Sequence, residues 1–252
     1  MGLKDAGGET LAEVMTARGR DPYAAGPAPW LESMKYYVEL HVEQGRWLAP
    51  YGAPVGVASA IWPHGRWRLD FCGQGNHAGA TAMVDRYDPM LTYAATVLAA
   101  RELAVDSGHR ATIGRVQVEP GSTNSIPSCV TAWLDARAES ATGLEALVAR
   151  LIERAQLAAR DDGTSVEVRA ESVTGAVDFD PGLRHRLAAL LDAPVLPTGA
   201  GHDAGILAAT LPTAMLFVRN PTGISHAPQE SASAQDIDAG VAALVRVVRE
   251  LG

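Results

Sequence analysis

The order of periodic segments in the middle of the chain constrains its fold more than any other feature. Val55 to Ile61 and Trp67 to Cys72 are β-forming runs around a Pro63-His64-Gly65 turn. Asp88 to Val105 is a long Ala/Leu-rich helix, and Thr112 to Glu119 and Cys129 to Ala138 are strands. Leu144 to Ala159 is amphipathic, with Leu144, Leu147, Val148, Leu151 and Ile152 apolar, and Ser165 to Ala170 alternates as a half-exposed strand. The order β-α-β-β-α-β predicts a ferredoxin-like sandwich, expected at residues 57–173.

The flanks, residues 1–56 and 174–252, read as two pieces of a second α/β domain into which that sandwich is inserted. Thr10 to Arg18 has helical spacing, and a loop rich in Pro, Gly and Ala follows from Asp21 to Pro29. Tyr36 to Leu40 is a short strand running into His41-Val42-Glu43-Gln44-Gly45. Polar side chains at a strand end are the usual place for a site in an α/β protein. Beyond the insertion, Pro181 to Leu191 is helical, Val195 to Gly205 is glycine-rich, and Thr213 to Val218 is an apolar strand. Ala234 to Leu251 is a final helix with acidic residues at its start and arginines near its end. A parallel sheet with one strand before the insertion and about two after it is too thin to stand alone.

With 47% apolar and 20% charged residues over 252 positions, a core of ordinary size is expected. The net charge of −8 argues against nucleic acid, which needs a basic face. The N-terminal residues are polar, with Lys4, Asp5 and Glu9, so no secretory leader is visible. No run of about 20 apolar residues would cross a membrane. Cys72 and Cys129 form no CxxC pair, which fits a reducing compartment; a cytoplasmic protein is expected.

Four of the seven histidines have unusual settings. His41 ends a strand beside Glu39, Glu43 and Gln44; His77, His202 and His226 lie among glycines in loops. Imidazole is a common zinc ligand, and carboxylates complete such sites. Each also has a plainer reading. A histidine near glycine is more often a loop residue than a ligand, Glu43 reads equally as a solvated strand end, and Asp203 as a helix N-cap.

Six motifs together carry a resemblance. They are Glu39-Leu40-His41-Val42-Glu43-Gln44-Gly45, Gly73 to Met83 continued by Asp85-Arg86-Tyr87-Asp88, Asn124-Ser125-Ile126-Pro127, Asp135-Ala136-Arg137, Gly199 to Ala204, and Gly223 to Glu230. In this order and spacing the chain resembles N-carbamoyl-L-amino-acid hydrolases, β-ureidopropionases and allantoate amidohydrolases. These are dinuclear metal amidohydrolases related to aminoacylases and carboxypeptidase-type metallopeptidases. The resemblance implies a truncated α/β metallohydrolase domain with an inserted dimerisation (lid) domain. It implies that His41 and His226 are ligands of two different metal ions, with zinc, manganese, cobalt or nickel all acceptable. Gln44, Gly201 and His202 would contact the amide or carbamoyl end of the substrate. Arg137 would grip a substrate carboxylate. Asn124 and a catalytic His77, which would stabilise the oxyanion, would act from a partner subunit, making a homodimer the working form. Two metals sharing a water would drive hydrolysis.

The match breaks at the beginning. The family's first segment, with a further histidine, a bridging aspartate and a Glu-Glu pair, has no counterpart here; Asp5 to Leu11 resembles the stretch just after it. One ligand per metal is far below the three or four that hold zinc. Three readings follow: an enzyme whose N-terminal half is a separate chain or was removed, a non-catalytic dimerising or ligand-binding remnant, or a rearranged enzyme using Glu43 or Asp203.

Overall fold

A computed structural model describes all residues except 6 and 27, and divides the chain into two units, Met1–Lys35 and Tyr36–Gly252. Ala6, in the Asp5–Leu11 motif, and Pro27, in the Asp21–Pro29 loop, lie outside the described residues. In the first unit, α1 (Leu11–Ala17) begins with a capping box. The Thr10 hydroxyl accepts from Glu13 N–H at 3.2 Å, and Glu13 accepts from Thr10 N–H at 2.7 Å.

The second unit runs β1 (Tyr37–Val42), β2 (Val55–Ile61), β3 (His64–Cys72), β4 (Asn76–His77), α2 (Pro89–Ser107), β5 (Arg110–Glu119), β6 (Ser125–Ile126) and β7 (Cys129–Arg137). It continues with α3 (Ala141–Asp161), β8 (Ser165–Thr174), β9 (Val177–Asp178), α4 (Pro181–Leu191), β10 (Val195–Thr198), α5 (Asp203–Leu207), β11 (Thr213–Val218) and α6 (Ala234–Leu251).

An antiparallel sheet with the order β5-β7-β3-β8 takes its strands from the sequence β3-α2-β5-β7-α3-β8. That is the expected βαββαβ sandwich. Along β7, Val130, Ala132, Leu134 and Ala136 turn inward to a core shared with Leu69, Phe71, Leu103, Leu144 and Leu151. The period of two sends Thr131, Trp133, Asp135 and Arg137 to the opposite face.

One strand lies elsewhere than expected. The sequence order groups Val55 to Ile61 with the sandwich, yet β2 pairs antiparallel with β11 and parallel with β10. The chain changes sheets at Trp62-Pro63 rather than making a hairpin turn there, and Pro63 has no N–H to continue a ladder. Nor is the other sheet a thin parallel one. It has five strands, β1-β11-β2-β10 with β9 on β2, and mixes directions. All six residues of the central β11 are buried. Phe217 and Met215 meet Leu48, Ile61 and Phe179 on one face; Leu216 and Ala214 meet Val57, Leu187 and Val247 on the other.

The register of β3 with β7 fixes the distances that matter for a site. His64 faces Arg137 at one end and Cys72 faces Cys129 at the other. Eight residue steps separate those ends, roughly 27 Å at the antiparallel rise. The two cysteines, remote in sequence, are opposite each other as free thiols with sulfurs 3.7 Å apart.

Candidate active site

β1 ends at a cluster of polar groups. His41 Nδ1 lies 2.6 Å from the carbonyl of Val42. A carbonyl can only accept, so Nδ1 carries a proton; in the neutral ring Nε2 then keeps its lone pair, the form in which histidine binds metals. The His202 ring packs edge-on against it, with centroids 4.8 Å apart. His202 donates from Nδ1 to the carbonyl of Ala200 at 2.9 Å, and its buried Nε2 has no partner. Burial, then the neighbouring His41, lowers its pKa, which keeps the ring neutral and Nε2 an acceptor. An N–H of a substrate amide would satisfy that atom. His202 is itself the N-cap position of α5, which puts Asp203 inside the helix rather than at its cap. Glu39 on β1 supplies the capping carboxylate instead, accepting from Ala204 N–H at 2.7 Å.

Glu43 is no solvated strand end. Its side chain is 2% exposed; Oε2 accepts from Leu48 N–H at 3.0 Å and Oε1 has no partner. Burial raises its pKa. The loop after β11 is organised by Asn220, whose side-chain oxygen accepts from Thr222 and Gly223 N–H while its amide donates to the Ile224 carbonyl. His226, further along, has φ of +57°, an uncommon conformation for a side chain with a Cβ. Glu230 holds it there, accepting from His226 N–H at 2.9 Å and from the Ser225 hydroxyl at 3.0 Å.

Between the two sheets lies a cavity of about 700 Å³, lined among others by Gln44, Trp47, Trp62, Arg110, Arg137 and His226. Arg137 spans it. Its Nε and Nη2 donate to the two oxygens of Asp135 at 2.7 and 3.0 Å, and Nη1 donates to the carbonyl of Gly199. The end of the sandwich sheet is thereby tied to the glycine loop before α5. Of the expected site residues, Gln44, Arg137 and His226 line this cavity, as do Gly199 and Ala200 of the loop carrying Gly201 and His202. His41 reaches the group through its contact with His202.

His77 and Asn124 are not brought there. His77 is on β4 and Asn124 directly precedes β6, the strand that pairs with β4; next to this ribbon Ala78 N–H donates to the Asn124 carbonyl. That ribbon follows Cys72, at the far end of β3 from Arg137. His77 Nδ1 accepts from Gly79 and Ala80 N–H, both at 3.1 Å. In the neutral ring the proton is therefore on Nε2, a donor of the kind an oxyanion requires.

Among the described residues no three His, Cys, Asp or Glu side chains converge to hold a metal. His41 has the right tautomer for a ligand, but these residues alone do not fit a metal centre, so no step through a metal is derived from them. Sequence reasoning missed Arg46, Trp47, Trp62, Arg110 and Thr112 in the cavity wall. For Asp135 a signal existed: two residues before Arg137 on a strand, it shares that residue's face.

A two-sheet α/β scaffold with its polar groups at strand ends is the class this geometry defines. The model of peptidase family M20/M25/M40 matches residues 6–250, and the chain belongs to that family. It is 34% identical to an N-carbamoyl-L-amino acid amidohydrolase of Geobacillus stearothermophilus, over 98% of this chain and 62% of that protein. It is 30% identical to an allantoate amidohydrolase of Escherichia coli, over the same shares. An amidase of the hydantoinase/carbamoylase family from Burkholderia vietnamiensis superposes with a TM-score of 0.88 at 29% identity, over 99% of this chain and 61% of that one. The chain thus spans about three-fifths of the length of the curated relatives it matches. Among the described residues no helix is long and apolar enough to cross a membrane.

Proposed function

We propose that this chain serves the metal-dependent hydrolysis of a linear carbamoyl or amide C–N bond in a small carboxylate-bearing substrate. N-carbamoyl-L-amino acids, ureidopropionate and allantoate are the candidates. One observation carries this reading: the cavity between the sheets has a guanidinium for a carboxylate at Arg137 and a wall formed by Gly199 and Ala200, and the same loop carries His202, whose buried Nε2 behind that wall lacks a donor. In this reading His41 and His226 are metal ligands, and Gln44, Gly201 and His202 face the carbamoyl end. The divalent metal this reading implies (zinc, manganese, cobalt or nickel) needs more ligands than His41 and His226 supply.

His77 and Asn124 act, in the same reading, from a second copy of the chain. The roughly 27 Å between the ends of β3 supports this, because one copy cannot present His77 to its own Arg137. So does α2, which leaves Leu91, Leu98 and Val105 exposed at seven-residue spacing, a stripe suited to a second copy. A second reading, a carboxylate-binding protein without turnover, is favoured by the lack of three converging metal-ligating side chains among the described residues.

Ammonia release from N-carbamoyl-L-alanine, with zinc or manganese added, separates the two. Chelator-sensitive release is expected of the hydrolase. Binding without release favours the second reading, and absence of both binding and release defeats the two together.

A further inference from the structure

We infer that Arg110 is a second carboxylate-binding residue, forming with Arg137 a two-guanidinium clamp on the substrate. This rests on the carbamoyl-carboxylate reading of the cavity and adds a residue to it. Register carries the argument first: Arg110 on β5 lies directly opposite Arg137 on β7, and both line the cavity. Like charges directly opposite in an antiparallel pair are destabilising. Three arginines, Arg46, Arg110 and Arg137, line the cavity against one acidic residue, Asp135. A surplus of positive charge kept at such a place is explained by an anionic ligand.

The hydrogen bonds divide the work between the arginines. Arg137 commits three of its N–H donors to Asp135 and Gly199, including the Nε–Nη2 edge that would otherwise take a carboxylate side-on. Arg110 donates only from Nη1, to the carbonyls of Gly108 and His109 at 2.9 and 3.1 Å. Its Nε and Nη2 have no hydrogen-bond partner among the described residues. The guanidinium lies 5.8 Å from the centre of the Trp62 ring, whose neighbour Trp47 meets it edge-on at 5.9 Å. A cation at that distance from a ring face is attracted to it without consuming donors. Arg110 is thus positioned by Trp62 with a fork free, whereas Arg137 is fixed and largely satisfied.

Arg110→Met tests this by calorimetry against two probes, N-carbamoyl-L-alanine and the neutral N-carbamoyl-L-alaninamide. The clamp predicts about a tenfold or greater loss of affinity for the carboxylate, as for a lost charge-assisted hydrogen bond, and little change for the amide. It also predicts a higher Tm for the ligand-free variant, because the like-charge pair is gone. A merely structural arginine would lower Tm instead. Equal carboxylate affinity in the two proteins overturns the clamp and leaves the reaction class standing. If the unaltered chain binds neither probe, both fall.

Discussion

In the four-stranded sheet the central strands β3 and β7 are paired on both sides over long ladders, and α2 and α3 close one face over a single core. In the five-stranded sheet β1 has one partner among the described strands, β11, and all six of its residues are only half-buried. Its partner β11 is buried throughout. A parallel strand is ordinarily covered on both faces, and an edge strand leaves a row of N–H and C=O groups unpaired. The central sandwich strands are thus supported from both edges, whereas β1, the strand that carries His41, is paired along one edge and packs Tyr37, Val38 and Leu40 against the cores from half-buried positions. Arg137 stands on a strand paired along both edges, and His41 stands on one paired along a single edge.

The difference can be broken by deleting one aromatic ring from each core. Phe71→Ala and Phe217→Ala each remove a side chain that is at most 1% exposed, so about 3–5 kcal/mol should be lost in either case. If the regions are unequal as described, urea unfolding of the unaltered chain shows two transitions. Phe71→Ala then moves the later one and Phe217→Ala the earlier. A single transition shifted alike by both changes would remove the distinction.

A smaller effect sharpens it. On the open face of the sandwich Asp70 accepts from Arg68 at 2.8 Å, Arg169 at 2.8 Å and Thr131 at 2.7 Å. Burial alone would raise its pKa; these partners outweigh burial and lower it to about 2. A carboxyl whose folded pKa lies below its unfolded value of about 3.9 stabilises the fold above that value, and the contribution is lost as pH falls toward 2. Asp70→Asn should cost about 2 kcal/mol at pH 7, and the gap from the parent should close by about pH 2. The later urea transition, followed from pH 7 to pH 2, reads this directly. A gap independent of pH would mean that packing, not charge, sets the effect.

Much of this was legible in the sequence, for identifiable reasons. Pro181–Leu191, Thr213–Val218 and Ala234–Leu251 have the bounds that apolar periodicity predicts, because local pattern decides an isolated helix or a buried strand. Period alone does not say which sheet a strand joins, and β2 was misplaced for that reason. The burial of Glu43 was invisible because the segment that covers it is a loop, with the Leu48 N–H folded back onto its carboxylate. Arg110 went unnoticed because its meaning comes from a register with Arg137, a pairing that no local pattern displays.

The central claim is that a carbamoylated carboxylate sits in the cavity between the two sheets. A crystal structure of the chain with N-carbamoyl-L-alanine tests it most directly. The account predicts the carboxylate within hydrogen-bonding distance of the Arg110 and Arg137 guanidinium groups, and the carbamoyl end turned toward His202 Nε2. Ligand density elsewhere, with this cavity holding only solvent, would contradict it.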